Sequence, residues 1–265
     1  MDLGLQDKVA LVTGGSQGIG ASITRVLLRE GASVIVTSRQ QSALDAFRAE
    51  LAADERERCF TICANLTGEN DIAALCATLL ARHPRIDILV NNAGHTLNVT
   101  DPHCGLDDWR AVMRLNFEVP VELNRHLIPV MRRQGWGRIV NITSCAGLEN
   151  SGPVTYCAAK AALTAYTRSM GRVLATEGGA IVMSAVYPGV IATKDGHWDH
   201  VLRDNPAHAE KYLRERCPLG RFGGADEFAP MVAIYCSNLA SFSHGAIVGV
   251  DGGQSKHFMY LNYLD

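Results

Sequence analysis

The chain has 265 residues, 47% of them hydrophobic, with 25 glycines and a formal net charge of −2. That length suits one α/β domain over 1–265, and the near-neutral charge offers no electrostatic basis for binding nucleic acid or an anionic membrane. No apolar run approaches the eighteen or so residues of a membrane span, no secretory signal opens the chain, and eight scattered cysteines without a C-x-x-C pair read as reduced thiols in a cytoplasmic protein, with no metal site.

Lys8–Thr13 (KVALVT) reads as a buried parallel strand running into Thr13-Gly-Gly-Ser-Gln-Gly-Ile-Gly20, with a helix over Ala21–Arg29. Glycines at 14, 18 and 20 let backbone N–H groups approach a pyrophosphate, and the start of the following helix favours an anion. Ser33–Ser38 is the second strand. A carboxylate at its end would select NAD; Ser38 and Arg39 stand there instead and suit the 2′-phosphate of NADP, although Arg39 could also stack on the adenine of either cofactor. Gln40–Arg58 reads as one amphipathic helix and Cys59–Ala64 as the third strand, after which Asn65 and Leu66 reach the adenine edge.

Asp71–Arg82 is a helix, and Ile86–Val90 a fourth strand ending in Asn91-Asn92-Ala93-Gly94. Leu106–Arg133 is a long helical pattern with Asn116 in its interior, where asparagine is a mediocre helix former. Pro120 and Pro129 predict a kink or interruption. Gly137–Thr143 is the fifth strand and delivers Ser144. Val154–Thr176 is the helix of Tyr156 and Lys160, and Ala180–Tyr187 is the sixth strand, closed by Pro188-Gly189. From Lys194 to Arg216 the pattern loosens into a candidate substrate lid. Asp226–Ser237 is a helix, Ala246–Val250 the last strand, and the tail carries Phe258, Tyr260 and Tyr263, expected at a subunit interface.

Tyr156 and Lys160 share one helical face, one turn apart. A phenol has a pKa of about 10, and lowering it by roughly three units needs about 4 kcal/mol. One positive charge about 4 Å away, at an effective dielectric near 20, supplies energy of that order. The pair can therefore be a tuned proton donor, although Y-x-x-x-K also occurs on helices with no chemistry.

The whole chain resembles the short-chain dehydrogenase/reductase family. The resemblance rests on TGxxxGxG (Thr13–Gly20), NNAG (Asn91–Gly94), Asn116, Ser144, YxxxK (Tyr156, Lys160), Pro188-Gly189 with Thr193, and Asp251–Gly253. It implies a single Rossmann-like, doubly wound parallel sheet of about seven strands with helices on both faces. It further implies a tetrad: Tyr156 as proton donor, Ser144 polarising the carbonyl, Lys160 lowering the Tyr156 pKa and binding ribose, and Asn116 holding a water that leads from Lys160 to solvent. Gly14, Ser16, Gln17, Gly18, Ile19 and Gly20 would serve the pyrophosphate side, and Asn92, Ala93 and Gly94 the ribose. Pro188, Gly189, Ile191 and Thr193 would approach the nicotinamide. Three departures from the family pattern are Asn65 in place of Asp, Ser184 in place of Asn, and a Ser144-to-Tyr156 interval one position short.

These features predict an oxidoreductase passing hydride between NADP(H), preferred over NAD, and a carbonyl or secondary alcohol. Candidate substrate contacts are His95, Ser144, Leu148, Glu149, Asn150 and Tyr156, a partly polar set. Reduction of 3-oxoacyl groups on a carrier protein is the enzymatic alternative, and a catalytically silent cofactor-binding regulator the non-enzymatic one. A homodimer or homotetramer through the Leu106–Arg133 and Val154–Thr176 helices is the expected assembly.

Overall fold

Apolar runs that are hidden on both faces can satisfy their backbone only by pairing with neighbouring strands, and seven strands pair here, the inner five buried and the two at the edges partly exposed. In the computed structural model, which describes residues 2–68, 70–149 and 151–256, the strands are β1 (Val9–Thr13), β2 (Ser33–Ser38), β3 (Cys59–Cys63), β4 (Ile88–Asn91), β5 (Gly137–Ile142), β6 (Ile181–Pro188), β7 (Ile191–Ala192), β8 (Gly223–Gly224) and β9 (Ile247–Val250). The main sheet has the order β3-β2-β1-β4-β5-β6-β9, parallel throughout, as expected from the sequence. β7 and β8 form a separate two-stranded ladder that the sequence reading did not anticipate.

Neighbouring residues of β1 serve opposite cores. Val12 packs with Ile23, Leu27, Phe228 and Val232, whereas Leu11 packs with Leu79, Leu123, Leu127 and Met183. That alternation is the period of a strand, and it places the helices Gly18–Arg29 and Ala225–Tyr235 on one face. The helices Asp71–Arg82 and Val119–Gln134 cover the other. Strand order reverses between β1 and β4, so their carboxyl ends diverge and leave a crevice there.

One helical expectation needs correction and another is met. Gln40–Arg58 is not one helix but two, Gln41–Ala49 and Ala53–Glu57. Leu51 turns into the core between them, and the Arg56 guanidinium takes the freed carbonyls of Ala49 and Leu51 at 3.1 and 2.9 Å. The long 106–133 helix is interrupted: α-helix Leu106–Met113 passes through a π-turn, Arg114–Glu118, into Val119–Gln134. Pro120 follows that turn directly, in the first turn of the last segment.

Residues 194–216 contain two helices, His197–Asp204 and Pro206–Arg216. Trp198 pins them together, its ring centroid 4.5 Å from Tyr212 and 5.1 Å from Phe222. No helix among the described residues is long and apolar enough to cross a membrane. The expected interface role of Phe258, Tyr260 and Tyr263 lies outside the described residues.

Candidate active site

A cleft of about 1230 Å³ lies over the carboxyl ends of the strands. Its floor is the glycine turn. Gly14 (φ +63°) and Gly18 (φ +53°) hold left-handed backbone, which costs a side-chain-bearing residue strain. Gly20 is constrained differently: a Cβ there would collide with the Gly14 carbonyl and stand 2.5 Å from Asn92 Nδ2. Gly20→Ala should therefore weaken dinucleotide binding at least tenfold and destabilise the fold by about 1–3 kcal/mol. Calorimetric titration with NADPH and a thermal melt would check this; unchanged affinity would sink it.

Asn92 Nδ2 donates to the carbonyls of Thr13 and Gly14 at 2.9 and 3.1 Å, so its side chain ties β4 to the glycine turn. Thr13, which the sequence reading passed over as a site residue, completes the tie. Its Oγ1 accepts from Asn92 N and Ala93 N, both at 3.0 Å. The only signal was a hydroxyl on the last residue of a strand that meets a ligand turn.

At the adenosine end the cleft is lined by Ser38, Arg39, Asn65 and Leu66. Arg39 is exposed and Ser38 half-buried. Asn65 Oδ1 accepts from the Thr67 hydroxyl at 3.0 Å. The buried hydroxyls of Thr37 and Thr143 also border the cleft and have no hydrogen-bond partner among the described residues. A glycine cradle that excludes side chains, an unpaired guanidinium-side rim and unsatisfied buried hydroxyls fit a dinucleotide.

Asn116 explains the π-turn. Its Nδ2 donates to Val112 O at 2.9 Å, capturing the carbonyl that a regular helix would offer to the Asn116 N–H. The same amide donates to His95 O at 2.8 Å, and its Oδ1 accepts from His95 N at 3.1 Å. Both side-chain donors are thus committed to protein, while one acceptor lone pair stays free. Gly94 fits tightly beside it: a Cβ would lie 2.8 Å from Asn116 Oδ1 and 2.9 Å from Lys160 Nζ. The absence of a side chain at 94 is what lets those two groups flank one spot.

Ser144 caps a short 3₁₀ turn, Cys145–Gly147, by accepting from Ala146 N at 3.1 Å. Gly147 then packs directly on the backbone of Lys160, which fixes the serine loop against the Val154–Thr176 helix. Lys160 is buried, donates to Ile142 O at 2.9 Å, and is pushed down to about 8 by that burial. Burial pushes the Tyr156 phenol up to about 12, and the Ser144 hydroxyl acts in the opposite direction. Against the expectation that Lys160 lowers this phenol, burial has the larger effect; the ammonium stands 5.6 Å from the ring centroid.

Of the remaining candidates, Gly14, Ser16, Gln17, Gly18, Ile19, Gly20, Asn92, Ala93, Gly94, His95, Tyr156, Lys160, Pro188 and Thr193 line the cleft. Gly189 and Ile191 do not: Gly189 N bonds to Val250 O at 3.1 Å, and Ile191 lines a separate small cavity with Cys217 and Leu219. Leu148 and Glu149 are half-buried, and Glu149 Oε1 accepts from Lys256 N at 2.8 Å. Asn150 lies outside the described residues. Lys194, Asp195 and Gly196, at the head of the 194–216 segment, line the cleft as well. Ser184 is buried, and its hydroxyl has no hydrogen-bond partner among the described residues.

The chain is similar to known proteins along nearly its whole length. Residues 8–197 match the family described as short chain dehydrogenase. The 3-oxoacyl-(acyl-carrier-protein) reductase FabG of Aquifex aeolicus is 35% identical over 254 residues, covering 96% of this chain and 99% of the relative. The 3-oxoacyl-(acyl-carrier-protein) reductase of Synechocystis is 36% identical over 252 residues, covering 94% and 97%. Among solved structures, L-sorbose reductase from Gluconobacter frateurii, complexed with NADPH and L-sorbose, has a TM-score of 0.88 at 29% identity, covering 97% of this chain and 99% of its own. A glycine turn at the sheet crevice, a Ser-Tyr-Lys-Asn cluster at its far end and this breadth of likeness have one reading: the chain belongs to the short-chain dehydrogenase family of oxidoreductases.

Proposed function

We propose that the protein transfers hydride between NADP(H) and a carbonyl or secondary alcohol on a small to medium, polar substrate. The observation that carries this reading is that Tyr156 and Lys160 line one end of a cleft, with the Ser144 hydroxyl beside the phenol and the Asn116 side chain beside the ammonium, while the other end has Arg39 and no carboxylate closing β2. The nicotinamide, when bound, supplies or accepts the hydride. Tyr156 then gives its phenolic proton to the substrate oxygen, and Ser144 donates a hydrogen bond that stabilises the charge developing there. Lys160 holds the ribose hydroxyls and passes protons onward. Asn116 uses its free lone pair to hold a water towards Lys160. Residues 194–216 act as the lid.

The cofactor choice is supported by the sorbose reductase complex with NADPH and by a second solved structure, of Pseudomonas aeruginosa RhlG, described as an NADP active-site complex. Arg39→Asp should raise KM for NADPH about thirtyfold or more while improving use of NADH, because it replaces a phosphate partner with a like charge. Initial rates with both cofactors check this, and an unchanged NADPH preference would remove Arg39 from the site.

The relatives' 3-oxoacyl-(acyl-carrier-protein) reductase activity is the second reading, favoured by their identity along nearly the full chain. Against it, the loop after the catalytic helix, Thr176-Glu177-Gly178, carries no basic residue of its own to attract an acidic carrier, and its Glu177 pairs with Arg132 at 2.6 Å. Comparing carrier-linked with free 3-oxo substrates separates the two. The same proposal includes a cytoplasmic location and a homodimer or homotetramer, which light scattering on the purified protein tests.

A further inference from the structure

Residues 254–256 follow the Asp251–Gly253 turn and run between three parts of the molecule that lie far apart in sequence. Gln254 Nε2 donates to the Tyr212 hydroxyl at 2.9 Å, on the helix Pro206–Arg216. The Ser255 hydroxyl is 3.2 Å from that of Tyr187, at the carboxyl end of β6. Lys256 N donates to Glu149 Oε1 at 2.8 Å, in the loop that begins at Ser144. Asp251 holds the segment in shape: Oδ1 accepts from Gly253 N at 3.0 Å and Oδ2 from Ser255 N at 2.9 Å.

Two features argue that these contacts matter. Gln254 is 8% exposed, and its Oε1 is buried with no partner among the described residues. A buried amide with an unsatisfied acceptor is costly, so its retention points to the job of its donor, the bond to Tyr212. Tyr212 in turn packs on Trp198, so the one bond engages both helices of the 194–216 segment. The Glu149 contact is charge-assisted, and it occupies one oxygen of the only carboxylate proposed to meet substrate.

We propose that residues 254–256 form a strap fixing the Pro206–Arg216 helix to the Ser144 loop, with Glu149 and Gln254 as positioning residues for the substrate side. Glu149 then serves as an acceptor for a backbone N–H and does not read charge on the substrate. An amide oxygen at the same place would accept that N–H equally well. The strap rests on the hydride-transfer reading only for what it shapes, not for its existence.

The test uses the full chain with Glu149→Gln, Glu149→Ala, Gln254→Ala and the Glu149→Ala/Gln254→Ala pair. Steady-state constants for a free ketone and NADPH affinity are measured for each. Glu149→Gln should stay within about twofold of wild type. Each alanine variant should lose about tenfold in kcat/KM for the ketone, the scale of one such hydrogen bond, with NADPH affinity unchanged. The pair should lose little more than either single change, because one strap is already broken. A Glu149→Gln variant as impaired as Glu149→Ala, or a pair whose losses multiply, overturns the proposal. Hydrogen exchange gives a readout that needs no turnover: amides of 206–216 should exchange faster in both alanine variants and not in Glu149→Gln. Should wild type reduce no ketone, the hydride-transfer reading fails, while exchange still decides the strap; unchanged protection in the alanine variants overturns it.

Discussion

Tyr156→Phe should lower the rate of carbonyl reduction by about a thousandfold and leave NADPH affinity within about twofold. The phenol has no substitute at its position. The Ser144 hydroxyl can donate a hydrogen bond but is far too weak an acid to give up its proton, and the Lys160 ammonium is turned to the Ile142 carbonyl. Phenylalanine keeps the ring that packs there and removes only the hydroxyl. The direction of the pKa shift adds a second signature. A phenol held near 12 is protonated throughout the neutral range, the form that reduction requires, so the tyrosine step should be insensitive to pH from about 6 to 9. Alcohol oxidation needs the phenolate, whose population grows tenfold per pH unit below the pKa, so the reverse rate should climb across the same range. Stopped-flow rates in both directions test this. More than a tenth of wild-type reduction in Tyr156→Phe would mean that water or another group supplies the proton.

The parallel sheet was legible because strands buried on both faces must be apolar throughout, as in VALVT and SVIVTS. The glycine turn was legible because few residues tolerate left-handed backbone at Gly14 and Gly18. The π-turn was not. It exists because the Asn116 side chain bonds to the backbone of His95, 21 residues away, while taking the Val112 carbonyl. A propensity scale registers only that asparagine is awkward in a helix. The partner of Glu149 was hidden for a related reason: the backbone N–H that takes one oxygen of this loop carboxylate lies 107 residues on. Tyr156 shows the limit of local charge arguments: the lysine was placed on the correct face, but the low-polarity surroundings that raise the phenol come from the whole fold.

Lys160→Met should abolish efficient turnover and yet make the folded protein more stable at pH 7, by about 2 kcal/mol. The lysine is buried, and its folded pKa of about 8 lies below the 10.5 of an unperturbed side chain. Below pH 8 both folded and unfolded chains carry the proton, and the fold bears the full cost of burying the charge, about 3 kcal/mol. Between pH 8 and 10.5 the folded lysine has released its proton and the unfolded one has not. The unfolded state then binds more protons, so stability rises with pH and the cost fades. Methionine fills similar volume without charge and escapes the cost, but leaves the Ile142 carbonyl without its donor, which returns about 1 kcal/mol. The difference between variant and wild type isolates this one group, since Tyr156 and the buried thiols of Cys59 and Cys76 titrate in both proteins. Urea unfolding at pH 7 and pH 9.5 should show the methionine advantage shrinking at the higher pH. An advantage equal at both would show that Lys160 does not titrate in this window. A lysine that weakens the fold it sits in is what a site kept for catalysis predicts.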